Sequence, residues 1–524
     1  MAVATEAMAR ILGLVSLLGL FASTMPAHAT GVLSLWGAVG QALETNPNTR
    51  LLRQQVGAAE GFLLQAQGPF DVVMGTSVGR RRDLRPLRAD EQILYQSSGF
   101  DVGRVQVQQS TNYSVSADKM LMNGIVAGTG FTVQSITDRL LQATGVPSQL
   151  AGTLSFTLRV PMGRNAGRET VSAELDARQS ELEAVRADLH HGNSLLVLDT
   201  AMAYWDWVAT TRRLEIAQAS EGRLAELVEE MKRLISADQM PRADIELVLA
   251  SRAEKSVQRF AAEQAVYESR KALARLLGIP AERLYEIGKP QDDFPSYLDV
   301  DANKRDSELV AEALAARVDL EATRYREQAA RYRLLAARNN LKPQIDLNLG
   351  VGYTGLAEGA SAARVDRSLE MLAGPSASAT LSVQWPWENS GARGVQRSAA
   401  ADYDSATIRL RDLQDAIAIN VPVALSAVRR AASQCVEGAV AVKRYETTLK
   451  NEKTKRRLGN ATVIDVINVE DRLNNSLLAE VSLRQGYANA IAQLRFELGS
   501  LVRRTGEEYR VTLGPLLSGR ALSE

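Results

Sequence analysis

The sequence predicts a mainly α chain that carries a β membrane segment. Three observations lead there: short stretches with period-two apolar alternation, helical runs too long for a compact domain, and two chain halves that share a register. In residues 343–353 the apolar set is Ile345, Leu347, Leu349, Val351 and Tyr353, with Asp346, Asn348, Gly350 and Gly352 between them. From Gly163 to Arg233 there is no proline, and Leu175, Leu182, Leu189 and Leu196 recur every seven residues, a phase that Ala217, Leu224 and Met231 resume. At 1.5 Å per residue such a helix is roughly 100 Å long. A ball of this chain length has a radius of gyration of only about 23 Å, so the helix must project within a coiled coil or a ring of helices.

Composition narrows the classes. The 524 residues include 61 basic and 61 acidic side chains, three histidines and one cysteine, and are 45% hydrophobic but 5% aromatic. These totals exclude a disulfide scaffold, a cysteine metal cluster and a nucleic-acid binder that works through bulk positive charge. The charge content of 23% does not suit a helical membrane bundle.

Residues 1–29 read as a secretory signal: Arg10 precedes an apolar run from Ile11 to Ala22, and Ala27-His28-Ala29 supplies a small-x-small end. A retained N-terminal anchor is the alternative. No later apolar stretch reaches the roughly 18 residues of a spanning helix, so a membrane crossing would use strands. The first repeat, 30–278, contains a helix near Val32 to Gln67 leading into Pro69-Phe70, strand patterns, a long helix opening after Val160-Pro161, and a second helix ending at Leu276-Leu277-Gly278. A linker, 279–306, is marked by Pro280, Pro290, Pro295 and the pair Asp292-Asp293. The second repeat, 307–499, has the same order: a helix to Asn340, strands, a long helix after Trp385-Pro386-Trp387, and a helix ending at Glu497-Leu498-Gly499. Asp244 precedes Gly278 by 34 residues and Asp465 precedes Gly499 by 34, so both pairs are offset by 221. Residues 500–524 form a tail.

About four strands alternate well. Besides 343–353 they are Leu154-Phe156-Leu158-Val160, Leu381-Val383-Trp385 and, less cleanly, Phe70 to Val78. Alternation alone also suits a half-buried soluble sheet. Residues 112–134 hold a further hairpin-like pattern around Asn123-Gly124, read as either extra strands or an external loop. Four strands cannot close a membrane barrel, which needs about eight, and open edges cannot face lipid, so several copies must pool their strands. The helices need partners too. Val466, Leu473, Tyr487, Leu494 and Leu501 lie in one heptad phase and Val463, Leu477, Ile491 and Leu498 in another, two seams that let a helix touch a neighbour on each side. Pro422, inside a helical run, is expected to kink or split it near Asn420-Val421.

The tandem repeats, the prolines at the strand-to-helix junctions, the run from Leu458 to Ile467 and the ending Gln493-Leu494-Arg495-Phe496-Glu497-Leu498-Gly499 resemble TolC-type outer-membrane factors over roughly residues 31–505. The resemblance implies a homotrimer in the cell outer membrane, extending into the periplasm: a twelve-stranded β-barrel continuous with a long α-helical coiled-coil tunnel of twelve helices. It implies a passive export duct in a tripartite efflux or type I secretion system, with a periplasmic adaptor (a membrane fusion protein), an inner-membrane pump and outer-membrane lipid as partners. It also implies that helix-turn-helix tips dock the adaptor, here Arg233, Leu234, Ile235 and Ser236 leading to Met240-Pro241, and Arg457, Leu458, Gly459 and Asn460 leading to Thr462. The family narrows its periplasmic entrance at two acidic positions three residues apart; Asp465 matches the first and Asn468 occupies the second. The tyrosine and arginine of the family's tip lock are replaced by Arg456 and Ala461, so other contacts must hold a closed state.

Signals for catalysis are thin. His190-His191 are adjacent surface histidines whose side chains diverge on a helix, away from the i, i+4 geometry of a zinc motif. Residues 350–355 have the spelling of a dinucleotide loop but continue a strand, and Cys435 is expected to pack between helices. No cofactor, metal or nucleic acid is expected. The alternative to a duct is a periplasmic coiled-coil adaptor or scaffold without a pore; an enzyme is a distant third.

Overall fold

The computed structural model describes residues 32–97, 99, 103–138, 145, 148–237, 244–297, 305–358, 372–505 and 508–511. The expected signal segment, the Met240-Pro241 turn and most of the tail lie outside them. The chain divides into two compact units: one of residues 1–49, 193–306 and 421–524, the other of 50–192 and 307–420.

The second unit contains one antiparallel sheet of six strands, β2 (Val72–Pro86), β3 (Val105–Met120), β4 (Val126–Asp138), β5 (Gln149–Pro161), β7 (Gln344–Glu358) and β8 (Leu372–Gln384), hydrogen-bonded in that spatial order. It takes in the four strands read from alternation and adds β3 and β4, so the segment left open between strands and loop is strand. The turn between them is built as Asn123-Gly124 requires. The Gly124 amide donates to Leu121 O, the Leu121 amide to Ile125 O and the Ile125 amide to Asn123 Oδ1, while Gly124 has φ +89°. A Cβ there would lie 2.2 Å from Asn165 O, so only glycine fits. Residues 350–355 lie within β7.

This unit also holds most of helix α2 (Pro47–Gln67), the start of α4 (Ala173–Ser236) as far as residue 192, α7 (Val318–Asn339) and the start of α8 (Ser390–Arg457) as far as residue 420. Salt bridges join α4 to α7 and to α2: Arg333 to Glu181 at 2.7 Å, Arg326 to Asp188, and Arg186 to Glu60 at 3.1 Å. The adjacent histidines are half-buried here rather than on the surface. Burial lowers the pKa of His191, and neighbouring Asp319 opposes the shift.

Helix α4 is continuous for 64 residues and α8 for 68. The expected break at Pro422 does not occur. A proline inside a helix costs roughly 3 kcal/mol, and Ile417, Val421, Leu425 and Val428 form a buried stripe at helical spacing that spans it, enough apolar burial to hold the helix together. The heptad seams are equally concrete: Leu182, Leu196, Leu224 and Met231 are buried on α4, as are both phases on and just after the last long helix except the half-buried Leu477.

The first unit is centred on an aromatic cluster. Tyr204, Trp205 and Trp207 on α4 are fully buried with Leu35, Ala38 and Val39 of α1 (Leu35–Thr45) and Leu273 and Leu277 of α5 (Asp244–Leu276). The linker is tied to this core: the Tyr204 hydroxyl lies 2.9 Å from Leu33 O and 3.1 Å from Asp292 Oδ2, which also accepts from the Leu35 amide at 2.7 Å. Burial drives the Tyr204 pKa well above the usual phenol range. Beside it, β1 (Val32–Leu33) pairs in parallel with β6 (Lys289–Pro290).

The glycines at 278 and 499 end α5 and α9 (Val463–Glu497) in the same way. Gly278 has φ +64° and Gly499 φ +67°. Ile279 N–H donates to Ala274 O and Ser500 N–H to Arg495 O, while each glycine amide reaches a carbonyl three residues back. This double closure satisfies carbonyls that the helix end would leave bare. Among the described residues no helix is long and apolar enough to cross a membrane.

Candidate functional site: sheet faces and helix tips

The register of the six strands sorts their side chains into two faces, because successive residues of a strand point to opposite sides. One row across the sheet reads Thr76, Val115, Phe131, Leu154, Tyr353 and Pro375. The adjacent row, on the opposite face, reads Gly75, Ser116, Gly130, Ser155, Gly352 and Ser376. The apolar side is open across its middle, where Val115 is 55% exposed, Phe156 48% and Val351 56%, while Val133, Leu150 and Ala357, farther from the helices, form a small buried cluster on it. A soluble sheet buries its apolar face; this one presents the middle of it.

The helix tips lie in the first unit. Residues Arg457 to Asn460 end α8, and Gly459 takes φ +79°. Asn460 N–H donates to Lys455 O at 2.9 Å and Gly459 N–H to Arg456 O at 3.0 Å, the same closure that ends α5 and α9. All four residues are exposed, Leu458 by 72%. On the other tip Arg233 and Ser236 are exposed, Leu234 and Ile235 are half-buried, and the Ser236 hydroxyl donates to Arg233 O.

Thr462 is the N-cap of α9. Its hydroxyl accepts from the Asp465 amide at 3.2 Å, and Asp465 Oδ2 accepts from the Thr462 amide at 2.8 Å and hydroxyl at 2.6 Å. This capping box satisfies two amides the helix start leaves without partners. Asp465 and Asn468 are both exposed, one turn apart, opposite the buried Val463, Val466 and Ile467. The hydrogen bonds from Thr462 hold the Asp465 carboxyl below the usual aspartate range. Because the folded-state pKa is depressed, this contribution to the helix start is complete above the ordinary aspartate pKa and disappears as pH falls through the lowered value. Asp465→Asn is expected to remove that acid dependence, as read by thermal melts across the acid range.

Arg456, at a position that the resemblance assigns to the family's tip lock, makes an ion pair instead. Arg456 on α8 bonds Glu230 on α4 at 2.5 Å. Deeper, Glu470 on α9 is only 4% exposed and meets Arg223 on α4, itself 27% exposed, at 2.6 Å, with the Ser220 hydroxyl at 3.5 Å. Lys255 on α5 reaches Asp471 at 2.7 Å. Leu224, Leu227, Val228 and Met231 of α4 pack there with Val248 of α5 and Val463 and Ile467 of α9. Composition gave no sign of these ion pairs, because partners 216 to 247 residues apart leave no local pattern. Arg456→Ala is expected to loosen the α8–α4 contact, read as faster amide exchange over residues 453–460 with the rest of the molecule unchanged.

Residues 309–500 match the family described as outer membrane efflux protein. No curated protein matches the chain. Among solved structures the fold is similar to the outer-membrane channel OprN, at TM-score 0.66 and 16% identity over 89% of this chain and 90% of that one. It is similar to the Campylobacter jejuni CmeC outer membrane channel, at TM-score 0.64 and 13% identity over 89% and 85%. It is also similar to the outer membrane protein VceC of Vibrio cholerae, at TM-score 0.62 and 17% identity over 89% and 96%. The fold class and the family read from the repeats and tip motifs are the ones these comparisons return.

Proposed function

We propose that this chain, whose residues 309–500 belong to the outer membrane efflux protein family, is one of three identical protomers of a passive export duct in the cell outer membrane. The observation that carries this reading is the sheet with an exposed apolar face, a hydroxyl- and glycine-rich opposite face, and two unpaired edges. Strand edges exposed to lipid leave backbone groups without partners, so copies of the chain must join their sheets into one cylinder. The helices reach into the periplasm, where an adaptor and an inner-membrane pump complete a tripartite efflux or type I secretion system. A pore-less periplasmic adaptor would have no use for an open apolar sheet face.

In this reading the residues from Arg233 to Ser236 and from Arg457 to Asn460 receive the adaptor, and Asp465 with Asn468 narrows the entrance. The exposed Leu458 offers an apolar contact. Leu458→Glu is expected to abolish export while trimers persist; unaffected export would remove the docking claim. Three Asp465 carboxylates at one ring would favour cations, over a Debye length of about 8 Å in physiological salt. Asp465 is also the cap, which separates the two roles. Asp465→Asn removes the charge and keeps an oxygen for the cap, so block of single-channel current by divalent cations should weaken with little loss of stability. Block that stays at the level of the unaltered protein would retire the ring. The reading as a whole is tested by fractionation: the mature protein should sediment with outer membranes and run as a heat-modifiable trimer, and a monomer soluble without detergent would overturn it.

A further inference from the structure

We propose that the barrel made by this chain has eighteen strands rather than twelve, with the hairpin β3–β4 crossing the outer membrane alongside the other strands. The inference rests on the trimeric duct proposed above: three copies of a six-stranded sheet give three times six strands.

Three observations make β3 and β4 spanning strands rather than an external flap. Their lengths of 16 and 13 residues exceed the about 9–11 that a tilted transmembrane strand needs. They lie inside the sheet, β3 paired with β2 from Val105 to Lys119 and β4 with β5 from Val126 to Ile136, so removing them would leave β2 and β5 without these partners. They also continue both faces across the middle of the sheet. A third row across the sheet, Met74, Ala117, Thr129, Phe156, Val351 and Ala377, keeps the middle of the lipid side uncharged, its charges Lys119, Arg80 and Arg82 lying toward the two ends of the strands, while Ser77, Ser114, Thr132, Thr153, Thr354 and Gly374 keep the opposite side small and hydrophilic.

The connections agree. The β3–β4 turn, residues 121–125, is tight and sits at the end of the sheet where the strands pass into helices: Gly167 N–H, just before α4, donates to Asn123 O. The connections at the other end, residues 87–104, 139–148 and 359–371, are all longer. Short turns on the periplasmic side and longer loops outside are the pattern of outer-membrane barrels.

Barrel diameter grows roughly in proportion to strand number, so eighteen strands give a cylinder about 1.5 times as wide as twelve. The lumen face across the middle of the sheet carries hydroxyls, glycines and few charges, so this duct suits bulkier hydrated cargo at its outer end than a twelve-stranded one.

The test uses the full-length mature protein in lipid nanodiscs. A Cys435→Ser background carries single cysteines at Val115, Ser114 or Phe156, labelled with an environment-sensitive dye and read against brominated lipid. Mass photometry counts the copies, and electron cryomicroscopy counts the strands. The expected result is three copies, eighteen strands, lipid quenching at Val115 and Phe156, and none at Ser114. Quenching at Phe156 but not at Val115, in a trimer with twelve strands, would overturn the eighteen-stranded barrel and leave the duct standing. A twelve-stranded ring of two copies would overturn the proposal as well. No quenching at any position would overturn both readings.

Discussion

Phe156→Arg is expected to eliminate the heat-stable trimer from outer membranes, whereas Ser155→Arg, one residue away, leaves assembly intact. Phe156 is half-exposed on the apolar face of β5, between Thr129 of β4 and Val351 of β7. An arginine facing lipid near the bilayer midplane costs about 2–4 kcal/mol, so three copies raise the penalty to roughly 6–12 kcal/mol. Ser155 points to the other side, among Gly130 and Gly352, where an added cation meets water and alters ion selectivity instead. The pair is read by outer-membrane fractionation, unheated gel mobility and the reversal potential of reconstituted channels. Equal assembly of both variants would mean that the apolar face is covered by protein rather than lipid.

The second large effect is expected at Arg223. Arg223→Ala leaves the carboxylate of Glu470 almost completely buried without its guanidinium, with the long contact to Ser220 remaining among the described residues. Removing one partner of a buried ion pair costs about 3–5 kcal/mol, measured as a fall in the helical melting transition by circular dichroism. Replacing both residues, as Arg223→Met with Glu470→Leu, should recover most of the loss, since the desolvation of two charges is then avoided. If the single variant melts like the unaltered protein, the pair is solvated. The same experiment tests the entrance: with Arg223 gone, α4 and α9 lose a contact near the tip, and conductance should rise.

Much of this architecture was legible because a few rules act strongly on the sequence. The alternation in residues 343–353 marks a strand with two distinct faces, and the heptads on α4 and α9 mark buried seams directly. The glycines at 278 and 499 announce helix ends because a positive φ excludes most side chains. β3 and β4 were harder to read. The apolar face of β3 includes Gln109, Thr111 and Lys119, and glycines interrupt β4 at 128 and 130, so their alternation is diluted. Pro422 misled for the opposite reason: a local rule predicts a break, and burial on both sides of it overrides the rule. Asp465 was read by its match to an acidic entrance; its bond to Thr462 depends on backbone geometry that the spacing alone did not disclose.

The sheet's pairing has a kinetic consequence. β2 to β5 join neighbours in sequence, but β5 meets β7 across a long interval: Thr153 faces Thr354, 201 residues away. Loop closure over such a span is slow compared with the zippering of adjacent hairpins. A nascent chain can therefore fold its first four strands as a meander, then wait with the far side of β5 unsatisfied until β7 emerges. During that delay the molecule is most open to aggregation, and a periplasmic chaperone that shields one strand would bring the greatest benefit.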